Sequence, residues 1–290
     1  MVVRKKTKVL FWGLGLAVLT AAGAETGEVA VSLTPQRLYP GAAALVQVSG
    51  AAAGRISWEG KSFSLCSLPD GRSLGAFLPV GVDADPGRRE AALVLTARGG
   101  KTFNRKVAAT ILPKEFPVQR LTLAESQVTL SERDLARHRR EQKAVRRALA
   151  DPEPGRMWTG SFRRPVPGTI STPFGFRRVL NDKPRSPHSG VDFRGAAGTP
   201  VASAGDGLVA LTGDHFFAGR SVYVDHGMGI VTLYFHLAEI AVVPGEKVRV
   251  GQTLGRIGST GRSTGPHLHW GVRLHGVNVD PLLFLALFEP

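Results

Sequence analysis

Four histidines and an aspartate in the last third of this 290-residue chain have the types and spacing that hydrolytic metal chemistry requires. They lie in three short segments: PHSGVD at Pro187–Asp192, YFHL at Tyr234–Leu237 and HLHW at His267–Trp270. Zinc centres that hydrolyse take three protein ligands from His and Asp or Glu and leave a fourth position for water. His188, Asp192, His236, His267 and His269 therefore supply a full ligand set and two further acid/base groups. Imidazole with carboxylate suits zinc better than calcium or magnesium, which prefer oxygen alone. No HExxH helix signature occurs in the chain.

These residues need elements that aim them together. In a strand, alternate side chains share a face, so the HxH pair sends His267 and His269 to one site. His188 and Asp192 stand four residues apart in a loop-like stretch with Pro187 and Gly190. The surrounding region is a series of short strands with glycine turns, including the pair SVYVDHGMGIVTLYFHL, and has no long apolar helix. That pattern predicts an antiparallel β structure with a groove and argues against a βαβ sheet.

Residues Phe162 to Phe284 resemble the catalytic domain of the lysostaphin-like zinc endopeptidases, a family of peptidoglycan hydrolases. The resemblance is carried by STPFGFRR from Ser171, HSGVDFRGAAGTPVASAGDGLV from His188, DHGMGIVTLYFHL from Asp225, VPGEKVRVGQTLGRIGSTGRSTGPHLHWGV from Val243 and NVDP from Asn278. It implies that His188, Asp192 and His269 bind one Zn2+ and that His236 and His267 are catalytic histidines beside the attacking water. It also implies hydrolysis of peptide bonds in peptidoglycan cross-links or stems, without a covalent intermediate. Spacing alone does not divide the five residues in this way. Which of the two catalytic histidines is the base is left open. The chain ends soon after this region, without the C-terminal module that anchors some relatives on glycine-rich bridges, and this favours direct D-Ala to diaminoacid cross-links as the expected substrate. Two other readings compete with this one. A non-catalytic zinc-binding activator or scaffold of other wall hydrolases would be expected to lack ligands that this chain has. A biotinyl or lipoyl carrier would need a lysine on a hairpin tip and would have no use for the histidines.

The other histidines, His138, His215, His226 and His275, sit in helical or turn-like contexts that favour structural or surface roles. Tyr234 and Trp270 flank the site segments and are more readily explained as packing than as groove lining. Arg177 and Arg178 are either contacts for substrate carboxylates or solvated strand ends.

Hydrophobic residues make up 43% of the chain and charged residues 21%, which describes a globular protein and excludes a disordered one. Length favours two domains. Arg4, Lys5, Lys6 and Lys8 precede an apolar run from Val9 to Ala22, and Ala22-Gly23-Ala24 offers a cleavage site, so residues 1–24 read as a signal peptide. An uncleaved membrane anchor is the alternative. Removing that segment takes four basic and no acidic residues and lowers the net charge from +14 to +10. The expected location is the periplasm or cell envelope, where a basic protein meets anionic wall polymers or a membrane surface and not nucleic acid. The lone Cys66 cannot form an internal disulfide, and a small buried apolar role is expected of it.

The expected architecture is all-β. An immunoglobulin-like sandwich spans 25–114, on runs such as VAVSL, ALVQVSG and AALVLTAR. A linker spans 115–158 with a helix over 131–150, and the antiparallel metallopeptidase domain covers 159–290. The helix is capped by Ser131 with Asp134, stopped by Asp151-Pro152, and carries a sparse apolar stripe of Leu135, Val145 and Leu149. It is expected to pack weakly or bridge the domains.

Overall fold

The computed structural model describes residues 29–122, 130–150 and 155–289. The expected signal peptide and the Asp151-Pro152 helix stop lie outside these residues. Among the described residues no helix is long and apolar enough to cross a membrane. The chain is mostly β, as its short, punctuated apolar runs require.

The N-terminal part forms two sheets. One has four strands, running Ala30–Thr34, Ala43–Ser49, Ser73–Pro79, Cys66–Ser67 in space, and the other has five, running Arg37–Leu38, Thr102–Ile111, Gly87–Ala97, Ala51–Trp58, Lys61–Ser64. Alternation along Gly87–Ala97 buries Ala91, Leu93 and Leu95 and leaves Ala92 and Val94 outside, the pattern of a sheet covered on one face. The inward residues of both sheets, among them Val46, Val48, Leu78, Ile56 and Trp58, form one apolar cluster. Cys66 is half-buried against a separate cluster that includes Ala43, Leu68 and Phe77, and burial raises its thiol pKa.

The C-terminal part is built on a ten-stranded sheet in which every pairing is antiparallel. Its centre is the strand Ile230–Ile240, between Gly219–Asp225 and His267–Leu274, with Val191–Arg194 next to the latter. The run IVTLYFHL is apolar almost throughout because both of its faces are covered. On one face Ile230 and Tyr234 enter the main core with Val222, Val224, Leu268 and Trp270. On the other, Val231 and Leu233 pack with Tyr223 and with Val145 of the helix Glu132–Ala148.

That helix is capped as its sequence indicates, with Ser131 Oγ accepting from the Asp134 N–H at 3.1 Å. Its contact with the sheet is light, with Val145 the one buried residue among its 17. It sits on the sheet: Val145 is buried, Leu149 is half-buried, and the Glu141 carboxylate accepts from Phe216 N–H at 2.8 Å. Only the C-terminal half of the apolar stripe makes contact; Leu135 remains exposed.

The two parts share a core. Ala43, Leu68 and Phe77 of the N-terminal sheets belong to the same cluster as Phe162, Trp158 and Phe284, and Phe77 lies 6.3 Å from Phe284 and 5.8 Å from Phe288 between ring centroids. Ion pairs Asp83–Arg177 and Lys114–Asp280 cross the same boundary. Arg177 is thereby a tie to the N-terminal sheets.

Candidate metal centre

Asp192 reaches the site by alternation. In Val191-Asp192-Phe193 the two flanking side chains are fully buried in the core, so the carboxylate projects from the opposite face. The same logic holds for His267-Leu268-His269-Trp270, where Leu268 and Trp270 are fully buried. Antiparallel register then sets Asp192 opposite His269 and His269 opposite Phe235, forming one row across three strands. The Phe235 ring stacks on His269 at 5.2 Å and 11°.

His188 joins from the preceding loop. Its main chain is held by His188 N–H to Phe176 O and by Gly175 N–H to His188 O. Gly190 makes the approach possible: a Cβ there would stand 2.3 Å from Trp270 O and 2.8 Å from His269 Nε2. Only glycine lets this loop press against the HxH strand.

The result is a triangle of donor atoms. His188 Nε2, Asp192 Oδ1 and His269 Nδ1 are each 2.9 Å from the other two. His188 Nδ1 gives its proton to Pro173 O at 2.9 Å, so Nε2 presents a lone pair to the centre. Three acceptor atoms at this spacing repel unless a cation lies among them. Ligands about 2 Å from a tetrahedral zinc stand roughly 3.3 Å apart, so the triangle needs only a small expansion. Two imidazole nitrogens and a carboxylate oxygen fit a divalent transition ion, and these are the residues that could hold it. Burial raises the Asp192 pKa, but hydrogen bonds and the charges of His188 and His269 outweigh it and hold the carboxyl far below its usual range. Burial lowers the pKa of His269. The donor set thus offers a metal one carboxylate oxygen and two imidazole nitrogens.

His236 and His267 stand beside the triangle, with ring centroids 4.6 Å apart. His267 Nε2 is 3.9 Å from Asp192 Oδ1. Strict alternation would send His236 to the face opposite Phe235. A β-bulge prevents this: Val222 pairs with Tyr234 but Arg220 with Leu237, so Phe235 and His236 together oppose one residue. His236 takes φ +64°, unusual for a residue with a side chain, and its ring turns back to the site. Its Nδ1–H donates to Thr260 O, and His267 Nδ1–H donates to Gly265 O, both at 2.9 Å. Each ring is left with an unprotonated Nε2. Burial pushes the His236 pKa down to about 4, against the opposing effect of the Thr260 hydrogen bond.

All five candidate residues therefore meet in one place. Tyr234 and Trp270 are fully buried core and line no groove. His226 is buried, bonded to Asp206 O and Thr232 Oγ1, and His275 stacks on Phe63 at 3.7 Å across the boundary between the two parts. His215 bonds Ser221 Oγ and His138 meets the Phe217 ring edge-on. The sequence reading assigned no role to Phe235, Gly190, or the Thr260 and Gly265 carbonyls. The GSTGRSTG run was the available signal for the last two, as a loop leading directly into HLHW.

Comparisons with known proteins agree with this geometry. The family model described as Peptidase family M23 matches residues 186–281. The peptidoglycan DD-endopeptidase ShyA of Vibrio cholerae is 44% identical over 114 residues, which is 39% of this chain and 26% of that protein. The peptidoglycan DD-endopeptidase ShyC of the same organism is 36% identical over 144 residues, 46% of this chain and 33% of that protein. The chain thus spans about a quarter to a third of the length of these curated relatives. A crystal structure from Pseudomonas aeruginosa assigned to peptidase M23 is 30% identical, covers 90% of this chain and 95% of its own, and superposes with a TM-score of 0.64.

Proposed function

The chain belongs to peptidase family M23, and from that premise we propose that it is an exported zinc endopeptidase that hydrolyses peptide bonds between D-residues in peptidoglycan cross-links. The observation that carries this reading is the donor triangle of His188, Asp192 and His269 beside two histidines whose Nε2 lone pairs are free to take protons. Names of relatives support the substrate class, since two of them are called peptidoglycan DD-endopeptidases. The basic and apolar residues of 4–24 support export.

When bound, zinc supplies a Lewis acid that polarises the scissile carbonyl and lowers the pKa of water towards neutrality. The remaining chemistry belongs to the chain. His236 is neutral at pH 7 because its pKa is near 4, so its Nε2 can accept the proton of the attacking water. The proton that His236 takes from water then passes to the leaving amine, directly or by way of His267 Nε2 in the facing ring, which while it carries that proton hydrogen-bonds the developing oxyanion. The net step adds water across the C–N bond: hydroxide goes to carbon and a proton to nitrogen. Main-chain carbonyls of Thr260 and Gly265 hold the two rings in the tautomer this requires.

The test is zinc content of the purified protein together with hydrolysis of cross-linked muropeptides, read by mass spectrometry of the products. One zinc per chain and release of monomeric peptides are expected. Intact dimers after incubation with the zinc-loaded protein would overturn the reading. For export, N-terminal sequencing of protein from the cell envelope should begin at Glu25; an intact Met1 on a membrane-bound form would replace cleavage with anchoring.

A further inference from the structure

The strands Gly207–His215 and Gly219–Asp225 are joined by Phe216, Phe217 and Ala218, and this hairpin tip is bonded to the site on one side and to the helix Glu132–Ala148 on the other. Toward the site, Ala218 O accepts from His236 N–H at 2.8 Å and Phe217 O accepts from Arg262 N–H at 3.0 Å. Just past the tip, Arg220 N–H donates to Thr260 Oγ1 at 2.9 Å. The hairpin therefore holds the main chain of His236 directly, and at two further points it holds the loop whose Thr260 and Gly265 carbonyls fix the rings of His236 and His267.

The helix grips the same tip from outside. Glu141 Oε2 accepts from Phe216 N–H at 2.8 Å, and its Oε1 accepts from Arg137 Nε at 2.7 Å. Arg137 also donates to Asp214 O at 3.1 Å. The His138 ring meets the Phe217 ring edge-on with centroids 4.6 Å apart, while the guanidinium of Arg262 lies 4.7 Å from the centre of that same ring. Phe217 thus touches helix and histidine loop at once. Spacings of three and four residues put Arg137, His138, Glu141 and the buried Val145 on one side of the helix, so a single face carries every one of these contacts.

A hydrogen bond to a carboxylate is roughly twice as strong as one between neutral groups. Only 16% of the Glu141 side chain is exposed, so water and salt screen its bond to Phe216 little. The bond matters because His236 owes its aim to its backbone: at φ +64° the ring turns to the site, and the N–H of that residue is tied to the tip. We propose that Glu141, supported by Arg137 and His138, is a positioning residue that acts through the hairpin tip to hold His236 and the 260–265 loop where both rings face the donor triangle. The helix precedes the residues 186–281 that carry the family match, so this contact is not part of what that match describes. The inference rests on the peptidase reading for what the two rings do.

The experiment compares the zinc-loaded full chain with its Glu141→Ala and Glu141→Gln variants by amide hydrogen exchange and by kcat and KM on a cross-linked muropeptide dimer. In Glu141→Ala the amides of His236, Arg220 and Arg262 should exchange about tenfold faster, with Leu268 and Trp270 unchanged, and kcat should fall about tenfold while KM stays within about twofold. Zinc content should not change. Glu141→Gln keeps an acceptor oxygen for Phe216 and loses only the charge, so it should restore both the exchange and the rate. Val46→Ala, in the N-terminal core, lowers stability away from the helix and should leave kcat intact. Unchanged exchange at His236 and Arg262 in Glu141→Ala would overturn the proposal, as would an unchanged kcat. So would a kcat that falls equally in Val46→Ala, which would mean stability alone, or a Glu141→Gln as impaired as Glu141→Ala, which would mean that the bond to the tip is not the cause. Exchange needs no substrate: a wild type that cleaves nothing, with the three amides released in Glu141→Ala, would refute the peptidase reading and keep the coupling of helix to histidines.

Discussion

His236 and His267 face each other at 4.6 Å, and each gives its Nδ1 proton to a carbonyl of one loop, Thr260 O for the first and Gly265 O for the second. Because a carbonyl only accepts, both rings present Nε2 as a base. Both lone pairs are thus in place for the proton transfer proposed above, and the donor triangle lies next to them. Ligand loss and proton-transfer loss consequently have different signatures.

His188→Ala, Asp192→Ala and His269→Ala each remove a donor and should lower zinc occupancy together with activity. His236→Ala and His267→Ala should keep the metal while losing about 10²- to 10⁴-fold in rate. Metal analysis of the purified variants decides the division. Zinc lost from His267→Ala and kept by His269→Ala would reverse the roles within the HxH pair.

The bulge at His236 predicts an unusual stability order. With φ at +64°, a side chain costs about 1 kcal/mol that glycine does not pay. His236→Gly should therefore be more stable than His236→Ala by about that amount in urea denaturation, although both should lose most of the rate. Equal stability would show that the strand abandons the bulge when the imidazole is gone.

Acid should destabilise the protein through His226. Burial pushes this ring's pKa down to about 4 from the usual 6.5. Between those values the unfolded chain binds more protons than the native one, so stability is fully present above pH 6.5 and declines as pH falls towards 4. The shift corresponds to about 3 kcal/mol. Denaturation of wild type and His226→Gln at pH 7 and pH 5 checks this: the wild type should lose more stability between the two than the variant does.

Truncating Phe284, which is fully buried against Phe162 and Phe77, should cost about 3–5 kcal/mol. Since this ring belongs to a cluster drawn from both parts of the molecule, Phe284→Ala should lower the stability of the N-terminal sheets as well. Hydrogen exchange at Val46 and Val48 amides is the measurement, and protection unchanged from wild type would mean the sheets unfold independently.

Much of the site was legible because it follows from local rules. Alternation in His267–Leu274 puts His267 and His269 on one face whatever the rest of the chain does, and VDF places Asp192 by the same rule. His236 is different. Its aim depends on a bulge in the pairing of its strand with Gly219–Asp225, where Arg220 opposes Leu237 but Val222 opposes Tyr234, a non-local event that leaves no trace in YFHL. The carbonyls of Thr260 and Gly265 were illegible for another reason: main-chain acceptors belong to every residue type. The helix Glu132–Ala148 announced its cap through Ser131 and Asp134, but its docking rests on Val145, one residue in a charged sequence. Contacts such as Phe77 with Phe284 join positions two hundred residues apart, and no periodicity marks them.

The loop that holds both histidines is itself pinned where Gly261 meets Gly219, since a Cβ on Gly261 would stand 2.3 Å from Gly219 N. The two rings are thus geared to a single mount. A substitution that displaces this loop moves both rings at once, so selection can retune the pair only jointly, and a variant altered in one proton-transfer step will carry a change in the other.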